Sequence, residues 1–139
     1  MLASVLVLDT NEYINALGFP SNPHAKTLLT IITKNPSQYS LCIPRKIIKE
    51  VQRNVHFAIF SEFMKIIHSI ARIDEDAMVP AELSEKYSAL GLKPADAFIA
   101  GYCEWVKADF LVTENRHFLV RTKNLPFEVV TAQDVLTKM

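Results

Sequence analysis

The stretch SVLVLDTNEY, residues 4–13, sets an apolar run, Val5 to Leu8, directly before the carboxylate of Asp9, with Asn11 two residues on. A short, continuous, β-branched run reads as a fully buried strand. Its end poses a choice. Asp9 is either a turn residue that closes the strand and leads into a helix, or a carboxylate carried to a strand end for chemistry. The remainder of the chain bears on which.

Working outward, Asn22 to Lys34 carries Ala25, Leu28, Leu29 and Ile32 at helical spacing, with Asn22 as a cap and Pro23 in the first turn. NPSQYS breaks that helix. Leu41 to Ile43 reads as a second strand, stopped by Pro44. A helix follows with Ile47, Ile48, Val51 and Val55 on one face, then a second helical pattern around AIFSEFMKIIHSI. ARIDED holds a short edge strand. Ala81 to Leu90 is helical and closed by Gly91, and Pro94 opens the helix PADAFIAGYCEWV. Phe110 to Val112 is a buried strand. PFEVVTAQDVLTKM supplies a last strand and a terminal helix, capped near Thr131 or Gln133. Strands alternate with helices, which predicts an α/β fold, a three-layer α/β/α sandwich on a mostly parallel central sheet. Ligands of such sheets bind outside the carboxyl ends of the strands, and Asp9 sits at one.

The 139 residues fit a single domain, 1–139, and half of them are apolar, enough for a proper core. Fifteen basic residues balance fifteen acidic ones, so a polyanionic partner must be held by a local basic patch. Cys42 and Cys103 lie far apart among apolar neighbours and read as reduced core thiols rather than a disulfide framework or a zinc site. MLASVLVLD lacks a basic leader, and its apolar run is too short for a signal peptide or a membrane span. The expectation is a soluble cytoplasmic protein that does not engage a membrane.

Three acids stand in comparable places: Asp9 after the first strand, Glu50 in the helix after the second, and Asp96 in the first turn of the helix opened by Pro94. LVTEN repeats the opening pattern, with Thr113 and Asn115 after an apolar strand. Each has a plain structural reading: a turn at Asp9, a solvated helix face at Glu50, a helix-dipole partner at Asp96, a cap at Thr113 and Asn115. Together they say more. Oxygen ligands gathered at one sheet end suit Mg²⁺ or Mn²⁺, and clustered carboxylates repel one another unless a cation neutralises them. Such a cation activates water and clamps a phosphodiester for in-line attack.

VLDTN, IPRKIIKEV, KPADAFIAGYCEW and ADFLVTENRHF, in that order and spacing, resemble the PIN-domain family of metal-dependent nucleases, and in size the chain looks most like the VapC-type toxin ribonucleases. The resemblance covers nearly the whole chain. It implies a PIN-like parallel sheet flanked by helices, Asp9 and Asp96 as metal-binding aspartates, and Glu50 and Asn115 as their catalytic companions. Asn115 departs from the pattern, since many members carry an Asp there. It brings no charge, and Glu114, one residue off register, is a poor replacement. Thr113 matches the hydroxyl residue two before Asn115, and Asn11 the small polar residue after the first Asp. Asp109 precedes its strand and belongs at the opposite sheet end, in a structural role. The toxin likeness further implies an antitoxin partner and a homodimer.

A nuclease must also hold phosphates. RKIIKEVQR puts Arg45, Lys46, Lys49 and Arg53 around Glu50, with Lys46, Lys49 and Arg53 on its polar side, and NRHF adds Arg116 and His117. These are candidate RNA-positioning residues, or simply solvated helix faces. No histidine is placed as an obvious general base. The resulting expectation is a metal-dependent endoribonuclease with an RNA substrate. The alternative is a PIN-like module that binds RNA or protein without cutting. A phosphatase with Asp9 as nucleophile resembles DxD, and here the third position is Asn11. The apolar stretch FAIFSEFMKIIHSI is expected to pack mainly into its own core rather than against a partner.

Overall fold

The run Ser4–Leu8 forms strand β1, and its last three side chains are buried, as a β-branched central strand requires. The computed structural model describes residues 3–121 and 124–139, without the side chains of Arg116, Val120 and Arg121. After β1 come helices α1 (Thr10–Leu17) and α2 (Pro23–Lys34), strand β2 (Tyr39–Pro44), helices α3 (Arg45–Asn54) and α4 (Phe57–Ile70), and strand β3 (Ala71–Asp74). A 3₁₀ turn at Asp76–Met78 leads to α5 (Ala81–Ala89) and α6 (Pro94–Trp105). Strand β4 (Phe110–Val112), α7 (Arg116–Arg121), β5 (Glu128–Val130) and α8 (Ala132–Leu136) complete the chain.

The strands make one parallel sheet in the order β3-β2-β1-β4-β5. The chain steps outward from β1 through β2 to β3, then returns to the other side of β1 for β4 and β5. Crossovers in parallel sheets are right-handed. The steps before the return therefore lay α1–α4 on one face, and those after it lay α5–α7 on the other. Helix α8 packs against α2 and β4. The result is the three-layer α/β/α sandwich with a parallel sheet that the alternation of elements predicted. The chain direction across the sheet reverses at β1, between β2 and β4, and ligands of such sheets bind outside the strand ends at that point.

Local signals in the sequence account for most element boundaries. Asn22 Oδ1 accepts from the amides of His24 and Ala25, with Pro23 at the first helical position. Thr131 caps α8 by accepting from Asp134 N. Gly91, at φ 97°, takes the left-handed conformation that follows α5. Cys42 and Cys103 are free and buried. Asp109 lies at the amino end of β4, where its carboxylate accepts from Val5 N at 2.7 Å, the structural role expected of it.

Helix α4 differs in part from its expectation. Phe63 and Ile67 are buried and Phe60, Met64, Ile66 and Ile70 pack partly on the core, yet Phe57 is 81% exposed. FAIFSEFMKIIHSI has more apolar positions than one face of a helix can bury. Among the described residues no helix is long and apolar enough to cross a membrane.

Candidate active site

Register places the centre of the site. Leu8 pairs with Val112 across β1 and β4, so Asp9 and Thr113 leave the sheet side by side. Backbone bonds continue the ladder one step: Asp9 N donates to Val112 O and Thr113 N to Val130 O, both at 2.9 Å. Thr113, fully buried, donates from Oγ1 to Asp9 Oδ2 at 2.8 Å and accepts from Asn115 N at 3.1 Å. Asp9 is also the cap of α1, since Oδ1 accepts from Thr10 N at 2.9 Å. The two readings of Asp9 posed by the sequence are therefore compatible. One oxygen caps a helix, while the other is held by Thr113 at the end of the neighbouring strand.

Glu50 comes from the second turn of α3, which starts directly after β2. Its Oε2 accepts from Thr10 Oγ1 at 2.6 Å. Asp96 comes from the first turn of α6, where the helix dipole favours an acid. Burial pushes the Asp9 carboxyl above its ordinary value. The hydrogen bonds from Thr113 and Thr10 oppose that rise, while the charges of Asp96 and Glu50 add to it. The three acids named from the sequence are thus brought together electrostatically, with Thr10 and Thr113 holding two of them in place.

Asn115 lines a cleft of about 230 Å³ with Asp96, Lys93, His117, Gly91 and Leu92. Its Oδ1 accepts from His117 N at 3.1 Å, so the amide oxygen is already engaged at the start of α7. Asn11 is exposed in the first turn of α1. Lys46 is half-buried, its Nζ 5.4 Å from the centre of the Phe98 ring, and Lys49 and Arg53 are exposed on α3. Arg45 points elsewhere, pairing with Glu75 at 2.9 Å. The side chain of Arg116 lies outside the described residues.

Among the described residues no group of three His, Cys, Asp or Glu side chains is close enough to form a protein cage for a metal. The donor set fits a more open arrangement. Mg²⁺ is ordinarily held by one or two carboxylates, with waters and substrate phosphate completing its shell. Asp9 and Asp96 supply two hard oxygen donors whose mutual repulsion a cation would relieve.

Sequence reading passed over three contributors. Thr10 links Asp9 to Glu50, and Lys93 lines the cleft beside His117, which the sequence had named. The third is Glu12, 2% exposed, whose carboxyl is pushed up to about 9 by burial, then by hydrogen bonding and charge from Glu114, with Asp9 adding a smaller share. A signal for Glu12 was present. It stands four residues before Ala16 on α1, on the face that is buried.

No family model matches the chain, and no curated protein matches it. Solved structures do. VapBC2 from Rickettsia felis, solved bound to a DNA fragment from its promoter, is similar with a TM-score of 0.63 and 19% identity, over 90% of this chain and 96% of that one. PAE2754 from Pyrobaculum aerophilum is similar with a TM-score of 0.63 and 20% identity, over 98% and 88%. FitAcB from Neisseria gonorrhoeae follows with a TM-score of 0.61 and 14% identity, over 92% and 98%. At these identities the likeness is one of fold, and it bears out the PIN-like, VapC-like α/β/α architecture expected from the sequence.

Proposed function

We propose that the protein is a metal-dependent endoribonuclease that hydrolyses RNA phosphodiester bonds, working as the toxin of a toxin–antitoxin pair. The observation that carries this reading is the convergence of Asp9, Glu50 and Asp96 at the sheet end where the strand order reverses. Asp9 and Asp96 would hold Mg²⁺ or Mn²⁺, which supplies charge neutralisation of the phosphoryl group and activation of water. Asp9 is kept in one orientation by Thr10 N and Thr113 Oγ1, and Glu50 by the Thr10 hydroxyl. Glu50, held beside Asp9 through Thr10, would orient the attacking water. Lys49 and Arg53 on α3, with Lys93 beside the cleft, offer the cations an RNA backbone requires despite the zero net charge. Phe19 and Phe57 are almost wholly exposed, and a hollow of about 860 Å³ lies beside Phe19, Ala58 and Ile59. Exposed apolar surface of this kind supports a protein partner, here an antitoxin or a second copy.

The test is cleavage of an RNA panel by purified protein with Mg²⁺ or Mn²⁺. Loss of cutting in Asp9→Asn and Asp96→Asn is the expected result. Failure of the wild type to cut, or undiminished cutting by both variants, overturns the reading. RNA bound equally with and without metal, uncut, would instead favour a binding module.

A further inference from the structure

The cleft beside Asp96 is lined by donors as well as by an acid. Lys93 and Asn115 both border it, from the two chain segments that flank it. The Asn115 side chain carries one acceptor oxygen and an NH₂ group that only donates. Its Oδ1 accepts from His117 N at 3.1 Å, and a backbone N–H can be met only by the oxygen, so this bond fixes which way round the amide lies. The residue is also anchored through its backbone, since Asn115 N donates to Thr113 Oγ1 at 3.1 Å. The oxygen is thus committed, and the NH₂ group, which donates to none of the described residues, is the end left for a ligand. Lys93 stands just before α6 and is exposed. Arg45, Arg72, Lys86 and Lys138 each pair with a carboxylate, whereas Lys93 makes no ion pair among the described residues, although Asp96 borders the same cleft.

We propose that Lys93 and Asn115 form a phosphate subsite: the Lys93 ammonium and the Asn115 NH₂ group donate to the non-bridging oxygens of one RNA backbone phosphate seated in the cleft. Those oxygens are pure acceptors, so two convergent donors suit them, one of them charged. The space also suits. Water takes about 30 Å³ in the liquid, so a cleft of about 230 Å³ holds several waters that a phosphate group would displace. The subsite gives a physical reason for the amide at position 115. A carboxylate there would turn a second acceptor toward the phosphate, while the amide of the same shape turns a donor. Asn115 then serves the substrate, and the hard oxygen donors for a cation remain Asp9 and Asp96. The subsite lies within the RNA site proposed above, so its kinetic readout rests on the nuclease reading; its binding readout does not.

Nitrogen-15 NMR of the wild type in EDTA, titrated with a short oligouridylate, reads the contact without cleavage. The Asn115 NH₂ resonances, identified by their loss in Asn115→Asp, are expected to move with the RNA. Resonances that stay in place overturn the proposal. So does inorganic phosphate moving them as far at equal concentration, which marks an adventitious anion site only. Affinities in EDTA test the donors. Asn115→Asp keeps an acceptor for His117 N but loses the NH₂ group, and is expected to bind the oligouridylate roughly tenfold more weakly. Equal or tighter binding overturns the proposal. Lys93→Ala is expected to weaken binding by a similar factor and to reduce the slope of log affinity against log salt by about 0.7, with Lys93→Arg restoring it. An unchanged slope in Lys93→Ala overturns the role of Lys93. Mn²⁺ affinity without RNA is expected within about twofold of wild type in Asn115→Ala, and a tenfold loss would make Asn115 a metal ligand instead. Should Asn115→Ala fail to fold, the NMR and Lys93→Ala results still decide the subsite. A wild type that binds RNA through these groups and cuts none sinks the nuclease reading and leaves the subsite standing.

Discussion

Thr113→Val tests the hydrogen bonding on which the site is built. The exchange puts a methyl group where Oγ1 stood, so it opens almost no cavity and its cost is polar. Two bonds go. The first is the donation to Asp9 Oδ2 at 2.8 Å, and a hydrogen bond to a charged group contributes about 1.5–3 kcal/mol. The second is the acceptance from Asn115 N at 3.1 Å, whose loss leaves an N–H unpaired at about 1–3 kcal/mol, the lower end applying because Asn115 is only half-buried. Together they amount to a loss of roughly 2–4 kcal/mol at neutral pH.

The sign with pH follows from Asp9. Burial already holds its carboxyl above the ordinary value of 3.8, and Thr113 is the first of the groups that pull it back down. Removing Thr113 raises Asp9 further. The added destabilisation is therefore present where Asp9 is ionised, and shrinks as pH falls through its folded value toward 3.8. Urea unfolding of wild type and variant at pH 7 and pH 4 measures both. A difference below about 0.5 kcal/mol at pH 7, typical of an inconsequential surface change, would refute the reasoning. So would a difference of equal size at the two pH values. Thr113→Ser retains the hydroxyl and should restore most of the loss.

Two further outcomes can be checked with the same unfolding assay. At Gly101 an added Cβ would lie 3.1 Å from the backbone carbon of Leu83 and 3.2 Å from Ser84 N, so Gly101→Ala forces α5 and α6 apart. Overpacking costs about 1–3 kcal/mol and exceeds the roughly 1 kcal/mol gained in helix propensity, so the variant should be less stable; equal or higher stability would contradict the close α5–α6 packing. For Glu12, the folded state keeps a proton between the ordinary value of 4.5 and about 9 that the unfolded chain has lost. Its contribution is whole below 4.5 and is lost as pH rises toward 9, by up to about 1.4 kcal/mol per pH unit. Glu12→Gln should therefore gain on the wild type steadily from pH 5 to pH 9, and parallel stability curves would contradict a buried, protonated Glu12.

Much of the site was legible because each acid was tied to a local signal. Asp9 follows an apolar run, Asp96 follows a helix-opening proline, and Thr113 and Asn115 follow a second apolar run. Such signals are readable because strand ends, first turns and caps depend on neighbouring residues. Thr10 and Lys93 carried no comparable mark. A threonine after Asp9 looks like any residue of a first turn, and only α3, packed alongside, makes its hydroxyl a partner for Glu50, forty residues on.

The chain's own order of apolar runs, prolines and capping residues determined the alternation of strands and helices, the ends of α2, α5 and α8, and the burial of both cysteines. These follow from backbone preference and hydrophobic period, which act over a few residues. Packing decided the rest. Pro44 leaves α3 without a local side-chain cap, and Asp76, thirty residues later, accepts from Lys46 N at 2.9 Å in its place. The register of Leu8 with Val112 sets Thr113 on Asp9, across a separation of 104 residues. Glu12 looks like an ordinary first-turn acid until α1 lies down on the sheet and encloses it beside Glu114. Burial and long-range hydrogen bonds belong to the assembled layers, because they depend on which surfaces meet and not on which residues follow one another.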